Sequence, residues 1–201
     1  NELQISIDGG TKEVFEKIRN KANFEKVIEN CKLVNLYAEK VNKKVTKMWT
    51  VVQKDNIHQL DDLVELASKL HFPSMVFSFD LGDWGQDDWT RINLNYQSTT
   101  IDYEQGMNLR EKGKKLGVDV YFWYLDSKYD NKNPCPWPFE RAYVSSDMKI
   151  VPCCMVATPE VENLGNAENF SKDWNSDKYL KFREKHISGS IPKYCKSCYK
   201  I

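Results

Sequence analysis

No run of this 201-residue chain is both long and uncharged, so no segment reads as a membrane span. Neither sign of charge is in excess. The 29 Lys and Arg are matched by 29 Asp and Glu, whereas a protein that grips nucleic acid through its phosphates would show a basic surplus. The first residues lack the basic stretch and apolar core of a secretory leader, so a cytoplasmic location is expected. There is no internal repeat and no low-complexity tract, and an aromatic content of 12% excludes a disordered tail. Histidine is scarce. His58, His71 and His186 show no ligand-like spacing and read as surface or capping residues.

What is present alternates between two textures. Residues 3–8 carry apolar Leu3, Ile5 and Ile7 in strand alternation, and Asp8-Gly9-Gly10 ends the run with turn residues. Residues 11–18 suit a short helix. Val27, Ile28, Cys31, Val34 and Ala38 then recur at helical spacing. Residues 45–52 (VTKMWTVV) are β-branched and aromatic, as a strand requires. A second helical stripe follows at Leu60, Leu63, Val64, Ala67 and Leu70, and a strand is expected at 75–79. After an acidic, Trp-containing stretch, residues 103–116 form a weaker helix stopped by Gly117, and 118–123 (VDVYFW) a strand. This β-α-β-α-β-α-β order predicts parallel strands joined by right-handed crossovers. A doubly wound open sheet and a segment of a (β/α) barrel both satisfy it.

Near residue 126 the texture changes. SKYDNKNP reads as a polar linker, and five of the six cysteines lie beyond it. Residues 140–144 and 149–151 suit a β-hairpin. Two short helices are expected at 170–174 and 177–187, the second with an apolar stripe of Tyr179, Leu180, Phe182 and Ile187. The expected domains are therefore an α/β part, 1–125, and a small Cys-rich α+β part, 126–201.

Cys31 falls on a helical apolar stripe and reads as a buried small hydrophobe. The other five follow the pattern C-x17-CC-x40-C-x2-C. Disulfides would need an oxidising compartment, for which the sequence gives no sign. A structural four-cysteine zinc site and an iron–sulfur cluster both accept tetrahedrally disposed thiolates, and spacing alone barely separates them. Cys195 and Cys198 follow helices at the chain end, which argues against a thioredoxin-like redox turn.

Three segments, CPWPFERAYVSSDMKIVPCC, GNAENFSKDWNSDKYLKFREKH and IPKYCKSC, resemble the SPASM or twitch-type domain of radical S-adenosylmethionine (SAM) enzymes. The upstream half is similar to the C-terminal half of the barrel in those enzymes, with ISIDGGTKEVFEKIR resembling its fourth strand and following helix. The fold class implied is α/β: a partial parallel (β/α) barrel followed by a small Cys-rich SPASM-like domain. The resemblance implies one auxiliary [4Fe-4S] cluster. Cys135 and Cys153 match its first two ligand positions, Cys195 and Cys198 the closing pair, and Cys154 an alternative ligand. Met148 stands where the family usually has Gly in the hairpin turn, which could distort that turn.

By the same resemblance, Ser6, Asp8 and Arg19 match positions that contact SAM, with Asn56 a further candidate. Trp84, Asp87, Asp88 and Trp89 follow a strand end, where parallel barrels place their active sites, and are candidates for a substrate pocket. The implied chemistry is reductive cleavage of SAM, with the resulting radical abstracting a hydrogen from a peptide, protein side chain or sugar. An electron donor such as a flavodoxin or ferredoxin would serve it, and neither nucleic acid nor membrane is an expected partner. The Cys-x-x-x-Cys-x-x-Cys motif that holds the cleaving cluster is not among these residues. The chain is therefore expected to be part of a longer enzyme and inactive alone. The alternative is a non-catalytic four-cysteine zinc or iron–sulfur interaction module.

Overall fold

A computed structural model describes residues 2–79, 97–123 and 128–199. They divide into two compact units, the first holding residues 2–79 and 97–123, the second residues 128–199.

The first unit is a four-stranded parallel sheet, in the order β1 (Leu3–Ser6), β2 (Thr46–Val51), β3 (Ser74–Ser78), β4 (Asp119–Trp123). Spatial order equals chain order, so every crossover steps one strand in the same direction. A doubly wound sheet would reverse direction at a switch point. The connecting helices are α1 (Lys12–Ile18), α2 (Phe24–Lys40), α3 (Leu60–Lys69) and α4 (Tyr103–Lys115).

Local chemistry fixes these boundaries. Asn23 caps α2 by accepting from the Lys26 amide at 2.8 Å, and Asp102 with Gln105 forms a reciprocal capping box on α4. Gly117, with a φ of 77°, takes the left-handed conformation that ends α4. β1 stops earlier than its apolar pattern suggests. Ile7 still donates to the Trp49 carbonyl, and the Asp8 carboxylate then replaces the backbone ladder by accepting from Val51.

The two sheet faces differ. Thr46, Met48 and Thr50 of β2 are buried, as are Met75 and Phe77 of β3 and Val120 of β4. Of these, Met48, Met75, Phe77 and Val120 pack with Leu60, Leu63, Val64 and Ala67 of α3, Leu109 of α4 and Cys31 of α2 in one core. Cys31 is 2% exposed, the buried hydrophobe its stripe suggested. Register places Trp49 and Trp123 on the opposite face. Their rings lie 5.8 Å apart, while Tyr121, two residues from Trp123 on that face, is exposed.

The second unit is built on a three-stranded antiparallel sheet of β5 (Tyr143–Val144), β6 (Lys149–Val151) and β7 (Gly165–Asn166). Around it lie α5 (Trp137–Glu140), α6 (Phe170–Asp173), α7 (Asp177–Ile187) and a closing 3-10 segment, Lys193–Cys198. The hairpin turn forms with Met148 at a φ of 63°, the conformation that favours glycine. The turn is thus kept without its usual residue.

The apolar stripe of α7 is not the one hydropathy suggests. Tyr179, Phe182 and His186 are buried, whereas Leu180 and Ile187 are 49% and 67% exposed. Geometry explains the correction: a step of seven residues returns to nearly the same helix face and a step of eight does not. His186 is therefore a core residue and not a surface or capping one. Residues 128–134, read as linker, are likewise part of the fold, because Lys128 and Tyr129 both donate to the Cys198 carbonyl at 3.0 Å.

Candidate metal centre

Cys195 and Cys198 lie on one 3-10 segment, where residues three apart eclipse. Their spacing therefore aims both sulfurs to the same side. Cys153 follows β6, and its sulfur accepts hydrogen bonds from the Met155 and Val156 amides. Cys135 immediately precedes α5, capped at Pro136, and its sulfur accepts from the Trp137 amide. A charge on Cys198 would be felt at Cys135, and charges on Cys135, Cys153 and Cys198 at Cys195. The turn after the hairpin sheet and the tail segment thus bring four thiols within electrostatic reach of one another. Cys154 acts on Cys153 beside it. No disulfide joins any of the six cysteines.

Burial pushes the Cys153 thiol up to about 12 and raises those of Cys135 and Cys195 as well. Without a cation these groups hold their protons at neutral pH, and a metal centre bound there would displace them. Among the described residues, no group of three or more His, Cys, Asp or Glu side chains converges closely enough to hold a single metal ion.

Behind Cys135 stands a hydrogen-bond chain that the sequence did not reveal. The Cys135 amide donates to the Tyr199 hydroxyl at 2.9 Å. That hydroxyl lies 2.7 Å from Nδ1 of His186. Burial holds the His186 imidazole down to about 4, so the ring is neutral, and its tautomer sets which partner donates in this bond. The sequence signal was there: His186 returns to the face of Tyr179, and Tyr199 directly follows the last cysteine.

The linkage has a definite sign. An unfolded histidine takes up its proton near pH 6.5 and the buried one only near 4. Stability from this site is therefore complete above pH 6.5 and drains away as pH falls towards 4. Relative to His186→Gln, the wild-type chain is expected to lose up to ~3 kcal/mol more between pH 7 and pH 4. Thermal melts at the two pH values, compared between the proteins, check this.

A second group of polar residues gathers at the C-terminal edge of the parallel sheet. Asp8 is 3% exposed, and its Oδ2 receives Arg19 at 2.6 Å while Oδ1 receives the Val51 amide at 2.8 Å. Burial raises the Asp8 carboxyl, and the adjacent guanidinium opposes that rise. Arg19 is partly exposed and shares a surface recess with Asp8, Ile18, Asn20, Lys21 and Ala22. Asn56 is fully buried. Its amide nitrogen donates to the Asp8 and Val51 carbonyls, and its oxygen accepts from Gln53. That amide is spent on holding backbone. Ser6 is exposed at the end of β1. Trp84, Asp87, Asp88 and Trp89 lie outside the described residues.

The four thiols all belong to the second unit of a mixed α/β chain. Residues 135–199 match the family model of SPASM, an iron–sulfur cluster-binding domain, which implies iron–sulfur binding by this segment. No curated protein matches the chain. No helix among the described residues is long and apolar enough to cross a membrane.

Proposed function

We propose that this chain supplies the second half of a radical SAM barrel together with an auxiliary-cluster domain, and contributes SAM and substrate contacts to hydrogen-abstraction chemistry. The observation that carries the reading is the gathering of Cys135, Cys153, Cys195 and Cys198, with backbone amides aimed at two of their sulfurs. Such N–H···S bonds stabilise thiolate charge, which is what a bound iron centre demands. The match of residues 135–199 to an iron–sulfur cluster-binding domain favours a cluster, here a [4Fe-4S] core on four thiolates, over a single zinc. When bound, the cluster supplies one-electron redox chemistry beside the substrate. These four cysteines would hold it, with Cys154 the neighbour best placed to substitute.

The consecutive strand order suits a barrel segment, and the polar groups at its C-terminal edge suit the nucleotide side of such a barrel. Arg19, fixed on one side by Asp8, would offer its exposed edge to the SAM carboxylate. Ser6 would face the same ligand, while Asp8 and Asn56 would act by holding the loop that presents Arg19. The substrate would be a peptide, a protein side chain or a sugar. A flavodoxin or ferredoxin would supply electrons. The thiolates of the SAM-cleaving cluster would come from outside these residues.

Anaerobic reconstitution of the chain tests the reading. Iron and acid-labile sulfide are expected in equal amounts, roughly four of each per chain. Stoichiometric zinc without sulfide would overturn the reading in favour of a structural zinc module.

A further inference from the structure

We infer that Tyr129 is a positioning residue for the cluster, its hydroxyl donating a hydrogen bond to the Cys135 sulfur and so raising the cluster's reduction potential. This rests on the cluster-binding reading above.

The tyrosine is fixed at its backbone before its side chain comes into play. Its amide donates to the Cys198 carbonyl at 3.0 Å, and the residue pairs with Tyr199 in a parallel bridge. The two rings sit 5.7 Å apart. From that anchor the hydroxyl hydrogen-bonds the Cys135 side chain, and the charges of Cys153 and Cys198 also reach it. One residue therefore touches both ends of the thiol set, by its amide at Cys198 and by its phenol at Cys135.

The direction of the bond follows from the chemistry. An iron-bound thiolate carries no proton, so the sulfur can only accept and the phenol must donate. A phenol ordinarily keeps its proton at neutral pH, so it has one to donate. A proton aimed at the sulfur stabilises the reduced cluster, with its extra negative charge, more than the oxidised one. The Trp137 amide gives the same sulfur a second bond, but any residue at 137 other than proline would provide it. Tyr199 is different again, because its hydroxyl meets the Cys135 amide and not the sulfur.

The test is the midpoint potential of the reconstituted chain, read by redox titration with electron paramagnetic resonance detection. Tyr129→Phe is expected to retain iron and sulfide and to shift the potential to a more negative value. An unchanged or more positive potential in the loaded variant would overturn the inference. If the phenylalanine variant fails to load, 3-fluorotyrosine at position 129 decides, since it keeps ring and hydroxyl but is the stronger donor. A shift to more positive potential supports the inference, and no shift refutes it. Iron and sulfide analysis of the wild-type chain stands apart from this comparison. An empty wild-type chain refutes the cluster reading and the tyrosine's role with it, whereas a loaded chain with an insensitive potential refutes the tyrosine's role alone.

Discussion

Cys195→Ser is expected to abolish cluster loading, removing nearly all iron and sulfide and the broad absorbance near ~400 nm of thiolate-bound iron. Serine preserves the shape of the side chain but lacks the soft donor. The site of substitution is also the most consequential, because Cys195 responds to the charge of all three other thiols and packs against the core of Ile150, Leu164, Tyr179 and Phe182. Cys135→Ser, Cys153→Ser and Cys198→Ser should behave alike. Cys31→Ser supplies the control, since Cys31 belongs to the helix-packed core of the other unit and should leave iron content unchanged. Retention of a full cluster in Cys195→Ser would remove Cys195 from the ligand set and promote Cys154.

Gly9→Ala should destabilise the parallel-sheet unit by roughly 3 kcal/mol, read as a lowered urea midpoint. A Cβ at Gly9 would lie 2.3 Å from the Phe15 nitrogen and 2.7 Å from its Cα. Both are backbone atoms of α1, so no side chain can swing aside and the helix itself must move. Phe15 is 1% exposed and packs in the main core, so the shift is felt there. It also disturbs Asp8, the preceding residue, and Arg19, which follows α1. Gly117→Ala is the useful comparison. Nothing lies within 4 Å of its added Cβ, so only the left-handed backbone is penalised, at about 1 kcal/mol.

The parallel sheet was legible because β2 is more buried on one face and β3 is an apolar run buried on both. In β2, Thr46, Met48 and Thr50 alternate with less buried Lys47, Trp49 and Val51. Strand order could not be read, since doubly wound and consecutive sheets present the same alternation along the chain. The cysteines were legible as a set for a chemical reason: Cys-Cys and Cys-x-x-Cys spacings suit metal ligation. Their supports were not. Tyr129 sits among Lys, Asp and Asn and looks like linker until the Cys198 carbonyl shows what its amide is for. His186 was misjudged because hydropathy ranks it below Ile187, whereas helix geometry and a tyrosine hydroxyl settle which of the two is buried. Asp8 and Arg19 were singled out as groups facing a ligand. Their strong bond to each other depends on a turn whose tightness only coordinates reveal.

The Cys198 carbonyl, by receiving Lys128 and Tyr129, closes the second unit into a ring whose start and finish coincide. An inorganic core bonded to sulfurs at both 135 and 198 would cross-link a loop of roughly 60 residues, and the chain entropy removed from the unfolded state by such a closure corresponds to about 4 kcal/mol. With such a core bound, its assembly and the survival of the polypeptide would be one equilibrium, and iron supply would govern how long this part of the protein persists.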